Sequence, residues 1–277
     1  MTMKKYLIDT SLVPAAIGES TPAHVAHFKQ ETSDGGLWSS VYVRKEFIHR
    51  WVLPCFEMAA CVRQYDNLAD ALNYLTQDFS GRNVKARSDI LAAILREKGS
   101  LRNTRETAVE IARIGILLLR KFDLVLASKV KNLSGCKIGG VPCSVDFNRL
   151  FDDLRSFAER VGIVMDCPIN EYLGFTKPRG HAAKLLAGDG VADTRAGLAL
   201  QKLFDNKTHV TCRECKKIGD AVIAIEQPPS WHLASSDKDF PTLCSALGKA
   251  MKPILSVRGV ERVARDATTS NVEDTSP

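Results

Sequence analysis

The chain has 277 residues, 45% of them apolar and 25% charged, enough to bury a substantial core as one elaborated domain or two small ones. Its 38 Lys and Arg against 32 Asp and Glu leave a formal charge of +6, too mild to demand a nucleic-acid partner yet consistent with one. The amino terminus MTMKKYLIDT has no signal-peptide core, and the most apolar run, IGILLL at 114–119, is far too short to span a membrane; a cytoplasmic protein is expected.

In chain order, KYLI (5–8) is short, apolar and β-prone, and predicts a first strand with Asp9 at its tip. Residues 14–30 read as helix or loop, and ETSDGGLW as a turn-rich break. Ser39 or Ser40 caps a predicted helix through VYVRKEFIHRWV that stops before Pro54. Cys61, Tyr65, Leu68, Leu72 and Leu75 recur at three- and four-residue steps, and Ile90, Leu91, Ile94 and Leu95 repeat the pattern, so the middle is predicted helical. Asn103 with Glu106 forms a candidate capping box before a long run to about Phe122. Phe147 to Val161 marks another helix, IVM (163–165) a short strand, and 191–204 a further helix. From 207 the pattern changes. A cysteine turn, a short helix near 219–226, a break at Pro228 and Pro229, a strand near 231–235, a helix over 241–248 and a closing strand PILSV (253–257) make a βαβ-like unit.

The candidate chemistry lies in the acids Asp9, Glu46, Asp220, Asp237 and Asp239. Asp9 and Asp237 each follow a predicted strand, where open α/β sheets keep their active groups, and Asp220 follows Gly219 at a helix start. Carboxylates gathered from such ends repel one another and form a hard-oxygen site for Mg²⁺ or Mn²⁺, a chemistry that suits phosphodiester hydrolysis. Each acid taken alone also reads as a strand terminator or helix cap.

Four stretches in this order resemble the PIN-domain superfamily of metal-dependent nucleases, which includes the ribonuclease toxins of toxin–antitoxin pairs. YLIDTSLV resembles its opening strand and first acid (Asp9), and SSVYVRKEF the serine-led helix with the second (Glu46). GDAVIAIE resembles the helix with the third (Asp220), and HLASSDKDFPTLCSALG the final acidic strand–helix unit with Asp237 and the adjacent auxiliary Asp239. The resemblance implies an α/β fold: a Rossmann-like PIN domain with a central, mainly parallel sheet, built from 1–53 and 207–260. Residues 54–206 would be a large, mainly helical insertion, and 261–277 a polar tail. It further implies a Mg²⁺- or Mn²⁺-dependent endoribonuclease, a toxin or antiviral defence nuclease. Asp9 and Asp237 would be the main metal ligands, with Glu46 and Asp220 holding a metal directly or through water. The alternatives are a non-catalytic RNA-binding or protein-assembly module and a structure-specific DNA nuclease. RNA is the expected partner, with an antitoxin or other regulatory protein and a second copy of the chain as further partners. His232 reads as a partly buried strand or loop residue rather than a general base.

Eight cysteines in a chain of this length read as reduced rather than as a disulfide framework. HVTCREC places Cys212 and Cys215 at knuckle spacing, and GCKIGGVPC supplies Cys136 and Cys143, so a structural Zn²⁺ joining the two loops is one expectation. His209 is an alternative fourth ligand; ordinary reduced cysteines and a redox-active pair are the competing readings. Basic loops that could meet a phosphate backbone gather Arg82, Lys85 and Arg87, and again Lys177 and Arg179. If they face away from the acids they are solvated surface.

Overall fold

Tyr6, Leu7 and Ile8 are consecutive and all buried, the pattern of a central parallel strand covered on both faces. A computed structural model describes residues 3–77, 103–130, 180–206 and 212–273, and in it this run is β1 (Lys4–Ile8). Among the described residues β1 is joined by β2 (Gly35–Ser40), β3 (Ala127–Val130), β4 (His232–Ser235) and β5 (Ala250–Pro253). All pairings are parallel and the order is β3-β2-β1-β4-β5. The chain runs outward from β1 to β3, then returns to β4 on the other side of β1. That reversal places a topological switch point between β1 and β4. The fold is α/β and Rossmann-like, with helical segments inserted between β2 and β3 and between β3 and β4.

Two of these strands are invisible in the sequence pattern. GGLW reads as a turn, yet Gly35 and Gly36 open β2. A Cβ on Gly35 would lie 2.6 Å from the Tyr6 ring and 2.7 Å from the Lys4 carbonyl oxygen, so the neighbouring strand dictates the glycine. β3 lies in a stretch where no strand was expected. The closing strand is also displaced: β5 ends at Pro253, and Ser256 caps the next helix by accepting from the Gly259 N–H (3.3 Å).

The helices follow their caps. α1 (Val13–Ala16) and α2 (Pro22–Glu31) occupy the uncertain 14–30 stretch, and Thr21 Oγ1 accepts from the His24 N–H at the start of α2. Ser40 Oγ accepts from the Val43 N–H (3.1 Å) and opens α3 (Val41–Phe47), as the serine pair suggests. The run does not stop before Pro54. One π-helical turn (Ile48–Val52) leads into α4 (Leu53–Arg63), which carries Pro54 in its first turn, where a helix tolerates a residue that lacks an N–H. The apolar face from Cys61 to Leu75 is split between α4 and α5 (Leu68–Gln77), because Asn67 Oδ1 accepts from the Asp70 N–H and starts a new helix. Asn103 likewise caps α6 (Thr104–Val125) through the Glu106 N–H (2.8 Å). Then come α7 (Gly180–Leu186), α8 (Arg195–Asn206), α9 (Cys212–Glu226), α10 (Phe240–Leu247) and α11 (Val257–Glu273). The predicted helices near 90–95 and 147–161 and the strand 163–165 lie outside the described residues.

The chain divides into two units. One takes Met1–Arg44, Phe122–Gly140 and Pro168–Pro277 and carries the sheet; the other takes Lys45–Lys121 and Val141–Cys167. In the sheet unit α8 packs on α9, α9 on α10, and α11 on α2. Gly219 of α9 lies against Tyr42 of α3, where a Cβ would approach the Tyr42 hydroxyl to 2.4 Å. In the helical unit Gly115 of α6 faces Cys55 and Phe56 of α4, and Phe56, Met58, Ala59, Val62, Ala108 and Ile111 are buried. Among the described residues no helix is long and apolar enough to cross a membrane.

Candidate functional site

Asp9 directly follows β1 and Ser235 ends β4, neighbours across the switch point; the Asp9 N–H donates to the Ala234 carbonyl (3.0 Å) and so continues the ladder. Asp9 is 4% exposed. Its Oδ2 accepts from the Ser235 hydroxyl (2.9 Å), from the Ser11 N–H (3.3 Å) and from the Ser11 hydroxyl in a short bond. Among the described residues Oδ1 takes no hydrogen bond, which leaves it as the oxygen open to a ligand. Burial pushes the Asp9 carboxyl above its ordinary range against those three bonds, and the charge of Asp237 pushes the same way. Ser236 and Ser11 complete a polar rim, hydroxyl to hydroxyl at 3.1 Å.

The turn after β4 is organised by the same serine. The Asp237 N–H donates to Ser235 Oγ (3.0 Å), and the Asp239 N–H to Asp237 Oδ1 (3.0 Å). Both acids then meet one guanidinium. Arg195 Nη2 donates to both oxygens of Asp237 (2.8 Å each), and its Nε to Asp239 Oδ2 (2.9 Å). Asp239 Oδ2 also accepts the Arg195 backbone N–H (3.2 Å), which seats the carboxylate at the positive end of α8. The hydrogen bonds to Asp239 and then Asp237 hold the arginine proton more firmly than usual. Sequence reading did not single out Arg195. Its partners are some forty residues away, and no local pattern announces such a pairing.

Two predicted acids remain, Asp220 and Glu46. Asp220 is half-buried on α9, in the sheet unit. Glu46 is half-buried on α3, just past the division at Arg44 and Lys45. Among the described residues no three His, Cys, Asp or Glu side chains form a group able to hold a metal ion. Two of the five acids are already answered by a guanidinium. As arranged, the donor set does not fit the divalent ion that the resemblance implies.

Cys212 and Cys215 fall in the first turn of α9, so the expected cysteine turn is helix. Cys136, Cys143 and His209 lie outside the described residues, and the zinc expectation rests on sequence spacing alone. Arg82, Lys85, Arg87, Lys177 and Arg179 also lie outside them. His232 is half-buried on β4, its ring 5.8 Å from that of Tyr6 and its buried Nδ1 without a hydrogen bond among the described residues. It stands at the amino end of the strand, away from the acids.

No protein-family model, no curated protein and no solved structure matches this chain, so architecture and site rest on the geometry alone.

Proposed function

We propose that the carboxyl end of β1 and β4 is a phosphodiester-cleaving site that acts on RNA. One observation carries the reading: Asp9 and Asp237 sit at the carboxyl ends of the two strands that flank the switch point, close enough for the charge of one to shift the other. Asp9 offers a single open oxygen from a buried carboxyl whose proton affinity is raised, a property suited to proton transfer at a reacting centre. Ser11, Ser235 and Ser236 fix that carboxyl and the following turn. RNA as substrate comes from the family resemblance.

Three carboxylates against one guanidinium leave the site negative when Asp9 is ionised, and a negative site repels a phosphodiester. Cleavage there needs further positive charge. The resemblance supplies it as Mg²⁺ or Mn²⁺; with Arg195 seated on Asp237 and Asp239, no catalytic step runs through such an ion. A second reading, a non-catalytic RNA-binding or assembly module, is favoured by that same ion pair, because it neutralises two of the acids.

Cleavage of pooled labelled single-stranded, double-stranded and structured RNAs in Mn²⁺ or Mg²⁺ separates the two readings, comparing wild type with Asp9→Asn/Asp237→Asn. Activity that is EDTA-sensitive and lost in a folded double mutant supports the nuclease. Equal cleavage by both proteins removes these acids from the site, and RNA retention without cleavage supports the module. Competition with DNA tests the structure-specific DNA nuclease.

A further inference from the structure

We propose that His24 and His27 form a pH-sensitive clamp on Leu255, which holds α11 on α2 at neutral pH and releases it in mild acid. The proposal is independent of the nuclease reading, because no residue of the clamp belongs to the candidate site.

Hydrogen-bond chemistry fixes the protonation that each ring needs. A backbone carbonyl can only accept, and a backbone N–H can only donate. His24 Nε2 lies 3.1 Å from the Leu255 carbonyl oxygen, so it carries a proton; Nδ1 meets the Ser20 hydroxyl at 2.8 Å. The Leu255 N–H donates to His27 Nε2 (3.4 Å), so that nitrogen keeps its lone pair and the ring is neutral, with its proton on Nδ1. Two rings three residues apart on one helix thus hold both backbone groups of a single residue.

The two bonds respond differently to acid. A proton added to His24 Nδ1 leaves the Nε2–H bond in place, and burial holds that imidazole below its ordinary range, with the charge of His27 acting the same way. His24 is the anchor. A proton added to His27 Nε2 removes the acceptor and sets one N–H against another. His27 is the sensor, and histidine is the side chain whose charge changes between about pH 5 and 8.

The charges around the clamp leave one tie that acid does not cut. Glu31, one turn after His27, accepts from Lys252 Nζ of β5 (2.5 Å), and that bond holds its carboxyl below the ordinary range. The pair stays ionised in mild acid, so β5 keeps its place on α2 while α11 is freed. Asp34 lies beyond Glu31 and is paired with Lys4. Glu19 precedes Ser20 in the turn before α2, Lys29 follows His27, and α11 brings Arg258 and Glu261, both exposed. Ile254 is buried and its N–H donates to the Ser235 carbonyl (3.0 Å), whereas Leu255 and every residue from Glu261 to Arg265 are exposed. A helix this exposed belongs to the low-stability end of a fold, where the joint at its start decides whether it stays docked.

The test is backbone amide exchange, followed by NMR on the full chain as wild type, H27Q and H27A at about pH 7.5 and about pH 5.5 and corrected for the intrinsic pH dependence of exchange. Imidazole spectra at the higher pH are expected to show His24 as the Nε2–H tautomer and His27 as the Nδ1–H tautomer. Protection of the wild-type Leu255 amide is expected to fall about tenfold on acidification, following the His27 titration, while β1 amides keep theirs. Nuclear Overhauser contacts between α2 and α11 are expected to fade with it. H27Q offers an amide oxygen that accepts without titrating and should stay protected at both pH values; H27A should be unprotected at both. Unchanged wild-type protection, an Nε2–H tautomer of His27 at the higher pH, or a pH response in H27Q equal to wild type overturns the clamp. So does loss of Leu255 protection in step with β1, which is global unfolding. If neither variant folds, the wild-type titration decides, and a protection midpoint away from that of His27 overturns the proposal.

Discussion

The two ends of strands β1 and β4 are made differently. At the amino end Asp34 accepts from Tyr6 Oη (2.6 Å) and Lys4 Nζ (2.7 Å), while Lys5 Nζ lies 5.6 Å and 6.0 Å from the rings of Trp231 and Trp38. The two indoles are themselves 5.3 Å apart. Those charges are exposed or paired; the bonds from Lys4 and Tyr6 hold the Asp34 carboxyl down at about 2. At the carboxyl end a buried Asp9 has its carboxyl raised by desolvation, and two further acids share one arginine. One end uses polar groups to hold strands together. The other gathers a buried carboxyl and two paired acids at one strand end, the arrangement on which the proposed function rests.

The contrast can be broken from either end. The largest effect is expected for Asp237→Asn, which should lower RNA cleavage on the order of 10²–10³-fold while leaving the melting temperature close to wild type. Initial rates under single-turnover conditions check it; unchanged rates would remove the acid from the chemistry. At the amino end Gly35→Ala drives a methyl group into the Tyr6 ring and should destabilise the fold by about 2–3 kcal/mol, read from urea midpoints. A midpoint equal to wild type would mean that the two strands part freely there.

Asp9→Asn should do the opposite to stability. A carboxyl raised in the folded state binds more protons there than when unfolded, between the ordinary carboxylate range and its folded value. Wild-type stability is therefore reduced as pH rises through that window, and the deficit is complete above it. The asparagine variant escapes it and should melt higher at neutral pH, on the order of 2–4 °C, with the gap closing on acidification. A gap that widens at low pH would reverse the sign assigned to burial. Lys5→Met is the smallest change, expected within about 0.5–1 kcal/mol by the same urea titration, because an exposed ammonium over indole rings contributes little.

What the sequence made legible was local. KYLI followed by Asp9, and HLAS followed by Ser236 and Asp237, combine a short apolar run with a polar stop, and both sets of strand ends lie where that pattern places them. Ser40 and Asn103 announce their helices because a cap is a contact over three residues. The hidden features depend on distant partners. β2 begins with two glycines because of a ring on β1, and α4 and α5 share one apolar face across a break set by Asn67. Arg195, an unremarkable basic residue at a helix start, becomes central only when folding delivers Asp237 and Asp239 to it.

The contact between Tyr42 and Gly219 acts as a gauge on the third acid. The phenol hydroxyl abuts the backbone of α9 one residue before Asp220, so the thickness of residue 219 determines how closely that helix approaches α3. A single added methyl group would have to move either the ring or the helix, and a moving helix would carry Asp220 with it. The placement of that carboxylate is thus set by a neighbour that has no side chain at all.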